Sequence, residues 1–178
     1  MEKLDQIGLI AYLAKKVGPN NKLGRKAVQK FVHIAASLGK IPTGYRFSFY
    51  TYGPYSRELA ADLEVAEAID GIVSCQNPGT TAFDIKAGDA ADSIIKNAKN
   101  YLENQEKSLN GIFDEFGNFT ARTLELYSTI LFLRDEEPNI ANSLDDLKKR
   151  VNQLKPQYSD AEFNQAYQHL KRIEHRFH

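Results

Sequence analysis

A chain of 178 residues, 42% of them hydrophobic, can build one domain with an extension or two small lobes on a shared core, and is too apolar for wholesale disorder. Lys plus Arg and Asp plus Glu both number 23, so the formal net charge is zero. That balance removes the global positive field typical of a nucleic-acid binder and leaves only a local basic face for such a role.

The chain starts Met1-Glu2-Lys3-Leu4-Asp5, without the basic, apolar and small-residue segments of a secretory signal. Its apolar stretches are too short and too often interrupted to span a membrane, so a cytoplasmic protein is expected. Over residues 4–17 apolar side chains recur at helical spacing (Leu4, Ile7, Ala11, Ala14), and Gly18-Pro19-Asn20-Asn21 stops the helix. A second helix is predicted over 25–38, with Val28, Phe31, Ile34, Ala35 and Leu38 inward and Gly39 at its end. Its opposite face, Lys26, Lys30, His33, Ser37 and Lys40, reads as a mildly basic stripe.

Residues 45–50 alternate and are rich in aromatics, as a strand is, with Phe47 and Phe49 on a core face and Tyr50 and Tyr52 on the other. Tyr52-Gly53-Pro54-Tyr55-Ser56 breaks the strand, Pro54 being suited to the first turn of a third helix. That helix turns Leu59, Leu63, Ala66 and Ile69 inward and ends at Asp70-Gly71. Residues 72–76, the turn Asn77-Pro78-Gly79-Thr80 and residues 81–86 read as a β-hairpin. Cys75, the one cysteine, fits a half-buried strand position better than a nucleophile and excludes an intrachain disulfide.

After Gly88 the pattern is helical throughout. One long helix is predicted over 89–116, then a buried central helix capped by Thr120, whose Leu124, Leu126, Tyr127, Ile130, Leu131 and Leu133 fall on nearly all sides. Ser143 with Asp146, and Ser159 with Glu162, open two more helices, over 144–154 and 160–176, parted by Lys155-Pro156. The expected fold is mainly α (α+β). A winged-helix-like N-terminal lobe with a small antiparallel sheet spans 1–88, and an all-helical C-terminal lobe over 89–178 packs on it.

No Gly-x-Ser-x-Gly elbow, phosphate loop, dinucleotide fingerprint or His-Glu-x-x-His pair occurs, so neither enzyme nor cofactor is expected. His175 and His178 beside Glu174 read as a solvated helix end, not a metal site, and His33 as a surface or boundary histidine. Asp62, Glu64, Glu67 and Asp70 read as a solvated acidic face. In a groove-reading helix, Glu58, Asp62, Glu64 and Glu67 would be repelled by phosphates and only Arg57 would help. Arg25, Lys26, Lys30 and Lys40, extended by Lys15, Lys16 and Lys22, are better placed for nucleic acid; Gln168, Lys171, Arg172 and Arg176 form a second candidate. The tyrosines fit either a protein interface or the wet edge of a core.

The segments Gly24-Arg25-Lys26-Ala27-Val28-Gln29-Lys30-Phe31-Val32-His33, Tyr52-Gly53-Pro54-Tyr55-Ser56-Arg57-Glu58-Leu59 and Lys155-Pro156-Gln157-Tyr158-Ser159-Asp160 resemble the YwgA-like group of prokaryotic proteins. More distantly, the Gln-Lys helix and Tyr-Gly-Pro turn resemble SocA-like, Panacea-type antitoxin domains, which implies binding of a partner protein and supplies no catalytic residues. The expected role is a non-enzymatic regulatory, antitoxin-like binder using Arg25, Lys26, Lys30, His33, Tyr50, Tyr52, Tyr55 and Arg57; a DNA-binding regulator is the alternative. The 89–116 helix offers a homodimer surface.

Overall fold

The computed structural model describes residues 2–16, 23–76 and 83–177; the expected turns at 18–21 and 77–80, Lys22 and His178 lie outside them. Helix α1 (Lys3–Lys16) buries seven successive or near-successive residues, from Ile7 to Ala14, and so is enclosed on most sides. The chain that follows the β-strands packs along it. There the helix predicted over 89–116 is in fact two, α4 (Ala91–Asn97) and α5 (Lys99–Phe116), broken at Ala98 with φ −94° and ψ 13°. The break sits against Gly8: a side chain there would place its Cβ 2.1 Å from the Cβ of Ala98, so only glycine admits this approach. Leu102, Leu109, Ile112 and Phe116 of α5 are buried within the chain.

Helix α2 (Arg25–Ser37) buries every residue from Ala27 to Ala35. Of the stripe read as basic and polar, Lys30 and His33 are buried, because α6 (Ala121–Glu136) lies along α2, while Lys26 and Lys40 stay exposed. Two central helices thus come one from each half of the chain. The left-handed residue that ends α2 is Lys40 (φ 52°), one past Gly39.

Strands β1 (Ser48–Tyr50) and β2 (Gly53–Tyr55) form a tight antiparallel hairpin with Ser48 opposite Tyr55, Phe49 opposite Pro54 and Tyr50 opposite Gly53. Pro54 therefore sits in a strand, not in the first turn of a helix, and a residue without an N–H suits an edge strand. Helix α3 (Arg57–Ala68) starts after Ser56, whose hydroxyl accepts from the Leu59 N–H. It buries Leu59, Leu63 and Ala66 as expected, but Ile69, past its end, is 48% exposed. Strands β3 (Ile72–Gln76) and β4 (Phe83–Ala87) pair antiparallel as a second, separate sheet. The class is mainly α with two small antiparallel sheets; β1 pairs with its own hairpin partner rather than with the β3–β4 hairpin. Cys75 is half-buried in β3.

Thr120 caps α6, a short helix α7 (Pro138–Ala141) unsignalled in the sequence follows, and Ser143 caps α8 (Leu144–Leu154) through the Asp146 N–H. Ser159 and Glu162 close a full capping box on α9 (Asp160–Ile173), which ends in a 3-10 turn at Glu174–Arg176 rather than running on as α-helix. A single cluster of buried side chains joins Phe31 and Ile34 of α2 to Phe116, Leu131 and Phe163. No helix of the described residues is long and apolar enough to cross a membrane.

Candidate partner-binding site

Positions four apart on a helix share a face, so Arg25 with Gln29, and Lys26 with Lys30, form two adjacent rows on α2. Both rows meet the β1–β2 hairpin. Gln29 pairs with Ser56 as a backbone would: its amide donates to the Ser56 carbonyl at 2.9 Å and accepts from the Ser56 N–H at 2.8 Å. Lys30 donates to the Pro54 carbonyl at 2.5 Å. From the other side Lys155 donates to the Thr51 carbonyl at 2.7 Å and to Glu125 at 2.6 Å, with its ammonium 5.6 Å from the Phe49 ring. Gly53 stands between these braces with φ 79°, its Cβ position only 3.1 Å from Thr129 Oγ1. Left-handed backbone and lack of space both call for glycine there.

The three segments carrying the resemblance therefore converge on one hairpin. Above it opens a cavity of about 370 Å³, lined by Arg25, Lys26, Gln29 and Lys30 from α2, by Tyr50, Tyr52, Gly53 and Tyr55 from the hairpin, and by Ala60, Leu63 and Glu64 from α3. Lys26 places its ammonium 3.6 Å from the centre of the Tyr52 ring, a cation–π contact. Tyr50 and Tyr55 lie 5.9 Å apart, and Tyr50 and Tyr52 are 62% and 53% exposed. Arg25 is tied to Glu67.

Of the eight residues named from the sequence, Arg25, Lys26, Lys30, Tyr50, Tyr52 and Tyr55 thus line one cavity. Two do not. Arg57 is exposed at the start of α3 but lies outside the lining. His33 is no surface or boundary residue: it is 5% exposed, its Nδ1 lies 3.0 Å from Ser128 Oγ, and its ring packs edge-on against Phe47 at 4.9 Å. Burial, reinforced by the Lys30 charge, pushes its pKa down to about 3, so the imidazole is neutral. Lys30 is also buried, at 3% exposed, and burial pushes its pKa down to about 8 against the opposing pull of Glu125. Asp62 leaves the expected acidic face altogether. It is 2% exposed and bound by Lys3 at 2.5 Å and by the Tyr45 hydroxyl at 2.9 Å.

Sequence reasoning missed Gln29, Glu64, Glu125 and Lys155. Gln29 and Lys155 lie inside quoted segments, so the signal was present, but nothing in one helix's pattern tells which polar residue a distant hairpin will engage. A second cluster joins α5, α6 and α9. The Tyr127 hydroxyl lies 2.9 Å from His169 Nδ1, and His169 Nε2 lies 2.9 Å from Glu115, which Arg176 also holds. Among the described residues no group of three or more His, Cys, Asp or Glu side chains is placed to hold a metal ion.

Fold and site together define a mainly helical α+β protein with a tyrosine-walled, lysine-floored cavity at a braced hairpin. The chain is 26% identical over 159 residues to Uncharacterized protein YwgA of Bacillus subtilis (strain 168), covering 85% of this chain and 87% of that protein. No family model matches it.

Proposed function

We propose that this chain is a non-enzymatic, antitoxin-like regulatory module that binds a partner protein through the hairpin face. The observation that carries the reading is the pairing of exposure with rigidity. Tyr50 and Tyr52 stand in solvent on a hairpin whose backbone is held by Gln29, Lys30 and Lys155. Large, stiff, amphipathic side chains on a fixed backbone lose little entropy on binding, and such residues dominate interface energetics. The motif resemblance to SocA-like domains supports the same class of role. Nucleic acid draws less support, since Lys30 is buried and Arg25 is already paired with Glu67.

A photo-crosslinking residue placed at Tyr52 tests the reading, with Lys107 on α5 as the remote control site. A protein adduct formed from position 52 and not from 107 is expected. Equal labelling from both positions, or none from either, contradicts it.

A further inference from the structure

Two ammonium groups and one carboxylate are enclosed beneath the hairpin: Lys30 at 3% and Lys155 at 2% exposed, with the Glu125 side chain at 13%. Glu125 bonds to Lys155, not to Lys30. Among the described residues the Pro54 carbonyl is the single hydrogen-bond acceptor for Lys30, whose ammonium carries three donors. A buried positive charge without its own carboxylate is costly, and proteins keep such groups chiefly at functional sites. Lys30 also lines the cavity floor. On the walls, Lys26 has no ion-pair partner among the described residues, and Glu64 is the only carboxylate in the lining. The lining therefore carries more positive than negative charge, and Lys30 keeps two donors that no acceptor among the described residues takes up.

We propose that this cavity is a socket for a side-chain carboxylate of the partner, an Asp or Glu next to an aromatic residue in an extended segment. Its chemistry follows from the lining. The carboxylate accepts from Lys30 with Lys26 beside it, and the aromatic ring packs on Tyr50, Tyr55 and Leu63. A volume of about 370 Å³ holds one or two side chains and not a helix, so the ligand enters as an extended strand or loop. The inference rests on the partner-binding reading above and specifies what it recognises.

The test is a titration of the protein with N-acetyl-Phe-Asp-amide and with its neutral near-isostere N-acetyl-Phe-Asn-amide, followed by backbone amide NMR shifts at Gly53 and Tyr55. The Asp peptide is expected to bind at least about tenfold more tightly, as removing a charged partner at a desolvated site does. Lys30→Met should erase the difference, while Tyr50→Ala, at an exposed position, should weaken both peptides alike. Equal binding of the two peptides, shifts centred on the Glu115–His169 cluster, or no binding by about 10 mM, where a millimolar complex would register, each overturns the socket. The wild-type comparison decides even if Lys30→Met does not fold. If the socket fails while a partner still crosslinks at position 52, the binding reading survives without it. If the Asp peptide is preferred but no partner crosslinks, the cavity is a carboxylate site, and the protein-binding reading falls together with the proposed occupant.

Discussion

Lys155 and Lys30 sit on opposite sides of the same hairpin and should answer truncation differently. Lys155 supplies Glu125 with its ion pair and Thr51 with its donor, so Lys155→Met leaves a largely buried carboxylate with only the long Gln157 contact and a carbonyl without its donor. A loss of about 3 kcal/mol is expected in urea denaturation. Lys30→Met removes one hydrogen bond but also a buried charge that has no ion pair of its own, and should shift stability by less than about 1 kcal/mol at pH 7. Similar large losses in both variants would mean that Lys30 is structural. Gly53→Ala forces a side chain into left-handed backbone against Thr129 and should lose about 1–3 kcal/mol in the same assay. For His33, the folded pKa near 3 lies below the ordinary 6.5, so between these values the unfolded chain binds the extra proton. Its contribution is complete above pH 6.5 and falls as pH drops, by about 1.4 kcal/mol per unit. Between pH 6.5 and 4.5, before the lowered carboxylates Glu115 and Glu162 titrate, His33→Gln should flatten the stability profile. An imidazole NMR midpoint near 6.5 for His33 would contradict this.

Elements whose signals are local were legible. The capping pair Ser159 and Glu162 marks the start of α9 in the sequence and in the structure, and Ser159→Ala should lower stability by about 1 kcal/mol, read as a fall in melting temperature. No measurable change would mean that tertiary packing alone holds that end. Where elements depend on distant neighbours, the reading fell short. The apolar spacing of 89–116 continues smoothly through Ala98, and the break between α4 and α5 falls where α1 makes its close approach at Gly8. Gly8→Val should therefore disturb two helices at once and lose about 1–3 kcal/mol or more by overpacking. The hairpin was misread for the same reason. Gly53-Pro54 resembles a strand end before a helix, and the braces that hold it as β2 come from Gln29, Lys30 and Lys155, up to 104 residues away.

For the whole molecule, the lesson lies in α2 and α6. Lys26, Lys30 and His33 looked like a solvated stripe because the helix that covers two of them lies almost a hundred residues further on. Interlocking the halves through α2 and α6 converts that stripe into a floor: His33 and Lys30 go under, and Arg25 and Lys26 remain at the mouth. Six of eight candidate residues converged because they flank one loop, and the two misses follow from burial at His33 and from the outward start of α3 at Arg57. The result is a neutral chain with a rigid aromatic rim and a positive pocket. The proposed role of this rim is to bind a protein. The direct measurement is co-purification of the chain and of its Tyr50→Ala/Tyr52→Ala form from the organism that encodes it, with stoichiometry by quantitative mass spectrometry. The wild-type chain should carry a stoichiometric partner that the double variant loses while keeping the same melting temperature. A partner retained by the variant, or none on the wild-type chain, would contradict protein binding by the rim.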